Sequence, residues 1–124
     1  MRCFCLFQHA QAQLTDSLAT GTWQSPAGQV EKAVTYALKD GYKLIDCAYC
    51  YGNEEEVGAG LKAAFEAGVK REDIFVVTKA WATYNTRVEL ALDKSLKALG
   101  LDYVDLFLVV SHCRTTSSDL LYSN

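Results

Sequence analysis

The sequence predicts an α/β fold in which parallel strands alternate with helices. Three observations carry this: three stretches hold apolar residues at helical spacing, a glycine closes each stretch, and a short β-rich run follows each glycine. The order along the chain is β-α-β-α-β-α-β, which implies right-handed crossovers. Spacing alone leaves two architectures open, a small doubly wound sheet and part of a (β/α)8 barrel.

The first strand comes from "SLATGTW", beginning at Ser17. The first helix stripe is Val30, Ala33, Val34, Ala37 and Leu38, an i, i+3, i+4, i+7, i+8 pattern. Ser25 and Pro26 suit an N-cap and a first helical position, and Gly41 suits the left-handed residue that ends a helix. "YKLID" then reads as the second strand. In the next unit Asn53 and Glu56 have capping-box spacing. Val57, Leu61, Ala64 and Phe65 form its stripe, and Gly68 closes it ahead of the strand "DIFVVTK". The third unit has Thr86 and Glu89 as its box, Val88, Ala91, Leu92, Leu96 and Leu99 as its stripe, and Gly100 as its stop. "YVDLFLVV" completes the series. The last two strands are almost continuously apolar, as strands buried on both faces of a parallel sheet are.

Composition narrows the function classes. With 124 residues, half of them hydrophobic, the chain is one globular domain at most. A net charge of −3 and the lack of any lysine/arginine run argue against a nucleic-acid binder. Runs such as "LFLVV" are too short to span a bilayer. "MRCFCLF" imitates a signal peptide, but its apolar core falls short of the usual length. Five cysteines, Cys3, Cys5, Cys47, Cys50 and Cys113, are an odd count in a chain rich enough in apolar residues to do without disulfides. A reducing, cytoplasmic compartment is the expectation.

Ligands of either architecture sit beyond the C-terminal ends of the strands. Gly21-Thr22-Trp23 follows the first strand, Asp46 ends the second with Tyr51 five residues on, and Lys79 ends the third with Trp81 two residues on. An acid, a phenol and an ammonium can therefore converge from adjacent strands. A phenol, with an unperturbed pKa of about 10, is a poor proton donor at neutral pH. A neighbouring ammonium stabilises the phenolate, and a carboxylate holds the ammonium in place. Together they make a proton-transfer device for a carbonyl oxygen. Each residue also has a bland reading, the Asp as a turn residue, the Tyr as core and the Lys as solvated.

Competing motifs are weaker. Cys47 and Cys50 have C-x-x-C spacing, but a zinc site completed by Cys3-x-Cys5 has too short a second pair. Cys47 reads as a small core hydrophobe, and a redox dithiol would open a helix, so no metal is expected. "GAGLKA" from Gly58 to Ala63 imitates a dinucleotide fingerprint, yet it falls inside a helical stripe after Glu54, Glu55 and Glu56. Its glycines then serve close helix packing, and the glutamates complement the positive helix N-terminus. His112, in an irregular tail, reads as solvated.

Taken together, "GYKLIDCAYCYGNEEEVG", "GTWQSP", "KREDIFVVTKAW" and "ALDKSLKALGLDYVDLFLV" resemble the N-terminal half of an aldo-keto reductase. Glycerol dehydrogenase and aldehyde reductase branches look nearest. The resemblance implies a partial (β/α)8 TIM barrel, with about four parallel strands and three helices, binding NADPH in extended form. It implies Tyr51 as general acid, Lys79 as the group that eases release of its proton, and Asp46 as the partner of Lys79. Thr22 and Asp46 would meet the cofactor, and Trp23 and Trp81 would line the pocket of a small carbonyl or polyol substrate.

Departures from the family are Lys43 in place of an arginine and Val110, Ser111 and His112 where a histidine-tryptophan-proline continuation is usual. Residues 1–17 and 111–124 read as divergent ends around an incomplete barrel, 18–110. The expectation is a truncated chain without reductase activity of its own, open to self-association through its strand edges. The alternative is a non-catalytic binding or regulatory fragment.

Overall fold

Four short parallel strands lie in one sheet in chain order: β1 (Ala19–Gly21), β2 (Leu44–Asp46), β3 (Phe75–Ala80) and β4 (Leu106–Val109). This is a computed structural model, and it describes residues 18–84 and 86–109. The ends expected at 1–17 and 111–124, with Cys3, Cys5, His112 and Cys113, lie outside the described residues, as does Val110.

In register, Thr20 pairs with Ile45 and Ile45 with Val76, while Val77 pairs with Leu106. Helices α1 (Val30–Lys39), α2 (Glu54–Glu66) and α3 (Val88–Leu99) connect successive strands. α1 packs on α2, and α2 packs on α3. A doubly wound sheet reverses its strand order part-way, and no reversal occurs among these strands. Right-handed crossovers that always step the same way keep every helix on one face. The winding is that of a barrel segment, so the choice left open by spacing is decided.

The core lies between sheet and helices. Ile45 and Val76 meet Val34, Leu38, Val57, Leu61 and Leu99 there, all essentially buried. Burying each such side chain stabilises the fold by about 1.5–3 kcal/mol.

All three helices stop where their glycines predict. Gly41, Gly68 and Gly100 have φ of 96°, 103° and 67°, a conformation that costs other residues energy. In each case the next amide turns back into the helix, from Tyr42 to the Ala37 carbonyl, Val69 to Ala64 and Leu101 to Leu96. These are the six-to-one bonds of Schellman ends.

Of the expected helix starts, that of α2 stands, with Asn53 at its N-cap, and those of α1 and α3 shift. α1 begins at Val30 with Gln29 at the N-cap, not at Ser25 and Pro26. Gly28 between them has a φ of 77°, which a right-handed helix cannot pass through. Neither capping box forms. The Asn53 side chain donates to the Thr22 carbonyl at 2.8 Å, and the Glu56 carboxylate accepts from the Gly28 amide at 2.9 Å. α3 is capped by Arg87 rather than Thr86, without a side-chain bond. Ala33 is exposed, whereas Ser95 joins Ala91 and Leu99 in the buried stripe of α3.

Gly58 and Gly60 do allow close packing. A Cβ on Gly58 would stand 2.6 Å from the Ala98 carbonyl oxygen of α3, and one on Gly60 would stand 2.7 Å from that of Glu31 on α1. Among the described residues no helix is long and apolar enough to cross a membrane.

Candidate active site

Parallel pairing brings the C-terminal ends of β2 and β3 to the same end of the sheet. Asp46, the last residue of β2, pairs in register with Val77. Lys79 lies two residues further along β3, hence on the same face as Val77. Its long side chain spans that offset. Tyr51 comes from a 3-10 turn, Tyr49–Tyr51, that ends at Gly52 with a φ of 67°.

The Lys79 ammonium joins the three. Nζ donates to Asp46 Oδ1 at 2.5 Å, to the Cys47 carbonyl at 3.0 Å and to Tyr51 Oη at 3.1 Å. An ammonium has three N–H donors and no acceptor. All three donors are therefore engaged, and Tyr51 Oη is the acceptor in its bond with Lys79. Its own hydrogen must point elsewhere, free to be given away. Burial pulls the Lys79 pKa down, but its hydrogen bonds to Asp46 and Tyr51 and the Asp46 charge outweigh it, leaving the group above the usual lysine range. At neutral pH the lysine is a cation.

The other expected site residues are placed differently. Thr22 is 2% exposed, and its hydroxyl donates to the Asp46 carbonyl at 3.2 Å. Trp23 and Trp81, just beyond β1 and β3, are 66% and 45% exposed. A groove of about 500 Å³ lies elsewhere, between α1 and α2 near Thr35 and Tyr36, and none of the expected site residues lines it.

Cys47 is fully buried, and its thiol donates to the Val77 carbonyl at 3.1 Å. Burial first, then the Glu54 charge, pushes it up to about 12. A thiol so held stays protonated, unsuited to metal binding or disulfide exchange. Cys50 is exposed.

Two features escaped the sequence reading. Tyr84 stacks edge-on against Tyr49 with ring centroids 5.2 Å apart, and Lys94 donates to the Tyr84 hydroxyl at 2.8 Å. That bond holds Tyr84 below the ordinary tyrosine range. Glu54, read as complementing the helix end, is instead buried and bonded to Thr78 and Ser95. The available signal was a pair of hydroxyls, Thr78 and Ser95, placed inside otherwise apolar patterns.

The sequence pattern of the aldo/keto reductase family matches residues 15–121. The chain belongs to that family. This aldo/keto reductase chain is 76% identical over 93 residues to the D-galacturonate reductase of Hypocrea jecorina, covering 75% of this chain and 30% of that protein. It is 54% identical over 92 residues to glycerol 2-dehydrogenase (NADP(+)) of Saccharomyces cerevisiae, covering 74% and 28%. Its fold matches the aldose reductase of Schistosoma japonicum with a TM-score of 0.70 and 46% identity, over 73% of this chain and 31% of the other. The Bombyx mori aldo-keto reductase, solved in complex with NADP, gives 0.68 and 40% over 74% and 33%. The four strands and three helices are thus part of a (β/α)8 barrel. The chain spans about 30% of the length of the curated relatives it matches.

Proposed function

We propose that this chain supplies the proton-donating part of an NADPH-dependent site that reduces a small aldehyde or ketone to an alcohol. The observation that carries the reading is the full engagement of the Lys79 ammonium, which leaves the Tyr51 proton free for an incoming carbonyl oxygen. Tyr51 gives that proton as general acid, a role contributing about 10²–10⁴ in rate. Lys79 stabilises the phenolate left behind, and Asp46 keeps Lys79 oriented. NADPH, when bound, supplies the hydride. Asp46 suits a place beside it: its side chain is 41% exposed, and among the described residues Oδ2 takes no hydrogen bond, so it can accept from a ribose hydroxyl. Thr22 would form the adjoining wall, and Trp23 and Trp81 would close over the substrate. A cytoplasmic location belongs to the same reading and is supported by the free thiols Cys47 and Cys50.

The test is a graft. Residues 18–109 replace the matching segment of the Hypocrea jecorina D-galacturonate reductase, and NADPH oxidation with D-galacturonate is followed. Retained turnover that Tyr51→Phe lowers at least a hundredfold supports the reading. An inactive but folded graft, or one indifferent to Tyr51→Phe, overturns it.

For the 124 residues by themselves we infer no turnover, because four strands do not surround a substrate. Saturable NADPH oxidation with glyceraldehyde by the purified chain would reverse that. A second reading, a non-catalytic fragment associating through its edges, is supported by the exposure of Leu18, Leu108 and Val109 beside the outer strands. Sedimentation of a strict monomer at micromolar concentration would exclude it.

A further inference from the structure

Glu54 opens α2 yet is only 5% exposed. A glutamate in a first helical turn gains from the helix end while its carboxylate stays in water. Burial removes that water, so other donors must replace it. Here Oε1 accepts from Thr78 Oγ1 at 2.6 Å and Oε2 accepts from Ser95 Oγ at 2.9 Å. Both hydroxyl residues are fully buried. Three polar side chains from α2, β3 and α3 thus bond to one another inside the apolar core.

The sequence neighbours of this cluster are the acid and its anchor. Thr78 immediately precedes Lys79, and Glu54 follows Tyr51 by three residues across the left-handed Gly52. Successive strand residues face opposite sides, so Glu54 stands behind β3 while the ammonium stands in front. We infer that Glu54 is a positioning residue: its bond to Thr78 fixes the start of α2, and with it Tyr51, at the height on β3 where Lys79 reaches the phenol. The inference rests on the reading of Tyr51 and Lys79 as acid and anchor. Lys79 gives its three hydrogen bonds to Asp46, Cys47 and Tyr51 while Glu54 takes those of Thr78 and Ser95, so Glu54 works through placement. Small displacements matter at such sites, where about 1 Å can cost a hundredfold in rate.

Thr78→Val and Ser95→Ala each remove one bond to the same carboxylate, one on the strand that carries Lys79 and one on a helix that does not. The readout is exchange of the Lys79 ammonium protons with water, followed by NMR in the full 124-residue chain, with urea midpoints recorded for each variant. Thr78→Val, or Thr78→Ala if the valine does not fold, is expected to speed that exchange tenfold or more. Ser95→Ala is expected to stay within twofold of wild type. A merely structural role moves both with the loss of stability. Any result in which the Thr78 variant does not exceed Ser95→Ala overturns the inference. Glu54→Gln, which keeps polar partners for both hydroxyls, should exchange more slowly than Glu54→Ala. In the graft, Thr78→Val should lower kcat tenfold or more with KM within threefold. An inactive graft would sink the reductase reading alone, because the exchange comparison decides the role of Glu54 independently.

Discussion

Gly58→Ala sets two physical effects against each other. Gly58 lies inside α2 with ordinary helical backbone, so propensity alone favours alanine there by about 0.8–1 kcal/mol. The new Cβ would stand 2.6 Å from the Ala98 oxygen, 2.7 Å from the Leu99 oxygen and 2.9 Å from the Leu99 carbonyl carbon. That is roughly 0.8 Å inside ordinary contact. All three obstacles are backbone of α3, which cannot swing aside as a side chain tip can. Overpacking costs about 1–3 kcal/mol, and rigid obstacles place this case in the upper half of that range. Separating α2 from α3 also loosens the bond between Ser95 and Glu54 at 2.9 Å, a contribution of about 1 kcal/mol.

The net expectation is destabilisation by about 1–3 kcal/mol. In a urea titration with a slope of about 1–3 kcal/mol/M, the midpoint falls by roughly 1 M with an unchanged slope. Ala59→Gly is the control: it sits next door and is exposed, so it loses only the propensity term of about 1 kcal/mol. A Gly58→Ala chain with a raised midpoint would refute the reasoning, because the helices would then be free to yield.

Four more outcomes follow from the structure. Iodoacetamide should label Cys50 in the native chain and leave Cys47 unlabelled until urea unfolds it, as peptide mass spectrometry reads directly. Because the folded Cys47 thiol is raised to about 12 from an ordinary 9.0, the unfolded chain loses that proton first, and stability should fall as pH rises between those values. Lys79 is also raised. Its bonds should be complete below the unfolded lysine value of about 10.4 and lost only as pH passes the higher folded value, visible as a Lys79 carbon shift later than that in urea. Asp105 accepts from Arg71 at 2.7 Å and from the Val76 amide at 2.8 Å, at the opposite end of the sheet from Lys79. Asp105→Ala should cost about 1–3 kcal/mol in a urea titration without altering exchange at Lys79.

What the amino-acid sequence determined by itself is what depends on near neighbours along the chain. Helical stripes, β-rich runs and the glycines at 41, 68 and 100 all act within a few residues, and the helices, strands and glycine stops appear where the pattern places them, with Ala33 alone of the α1 stripe exposed. Asp46, Tyr51 and Lys79 were legible because strand ends are local features and parallel strands align them. The start of α2 at Asn53 was legible, but the bonds of its box were not, since Asn53 and Glu56 found partners in Thr22 and Gly28, and the start of α1 moved to Gln29. Only the tertiary structure decided the winding of the sheet and the carbonyls that Gly58 must avoid. It alone decided the role of Glu54, whose partners lie 24 and 41 residues away. A buried carboxylate must replace its lost water with whatever donors the packing brings near, and no spacing along the chain reveals which those are.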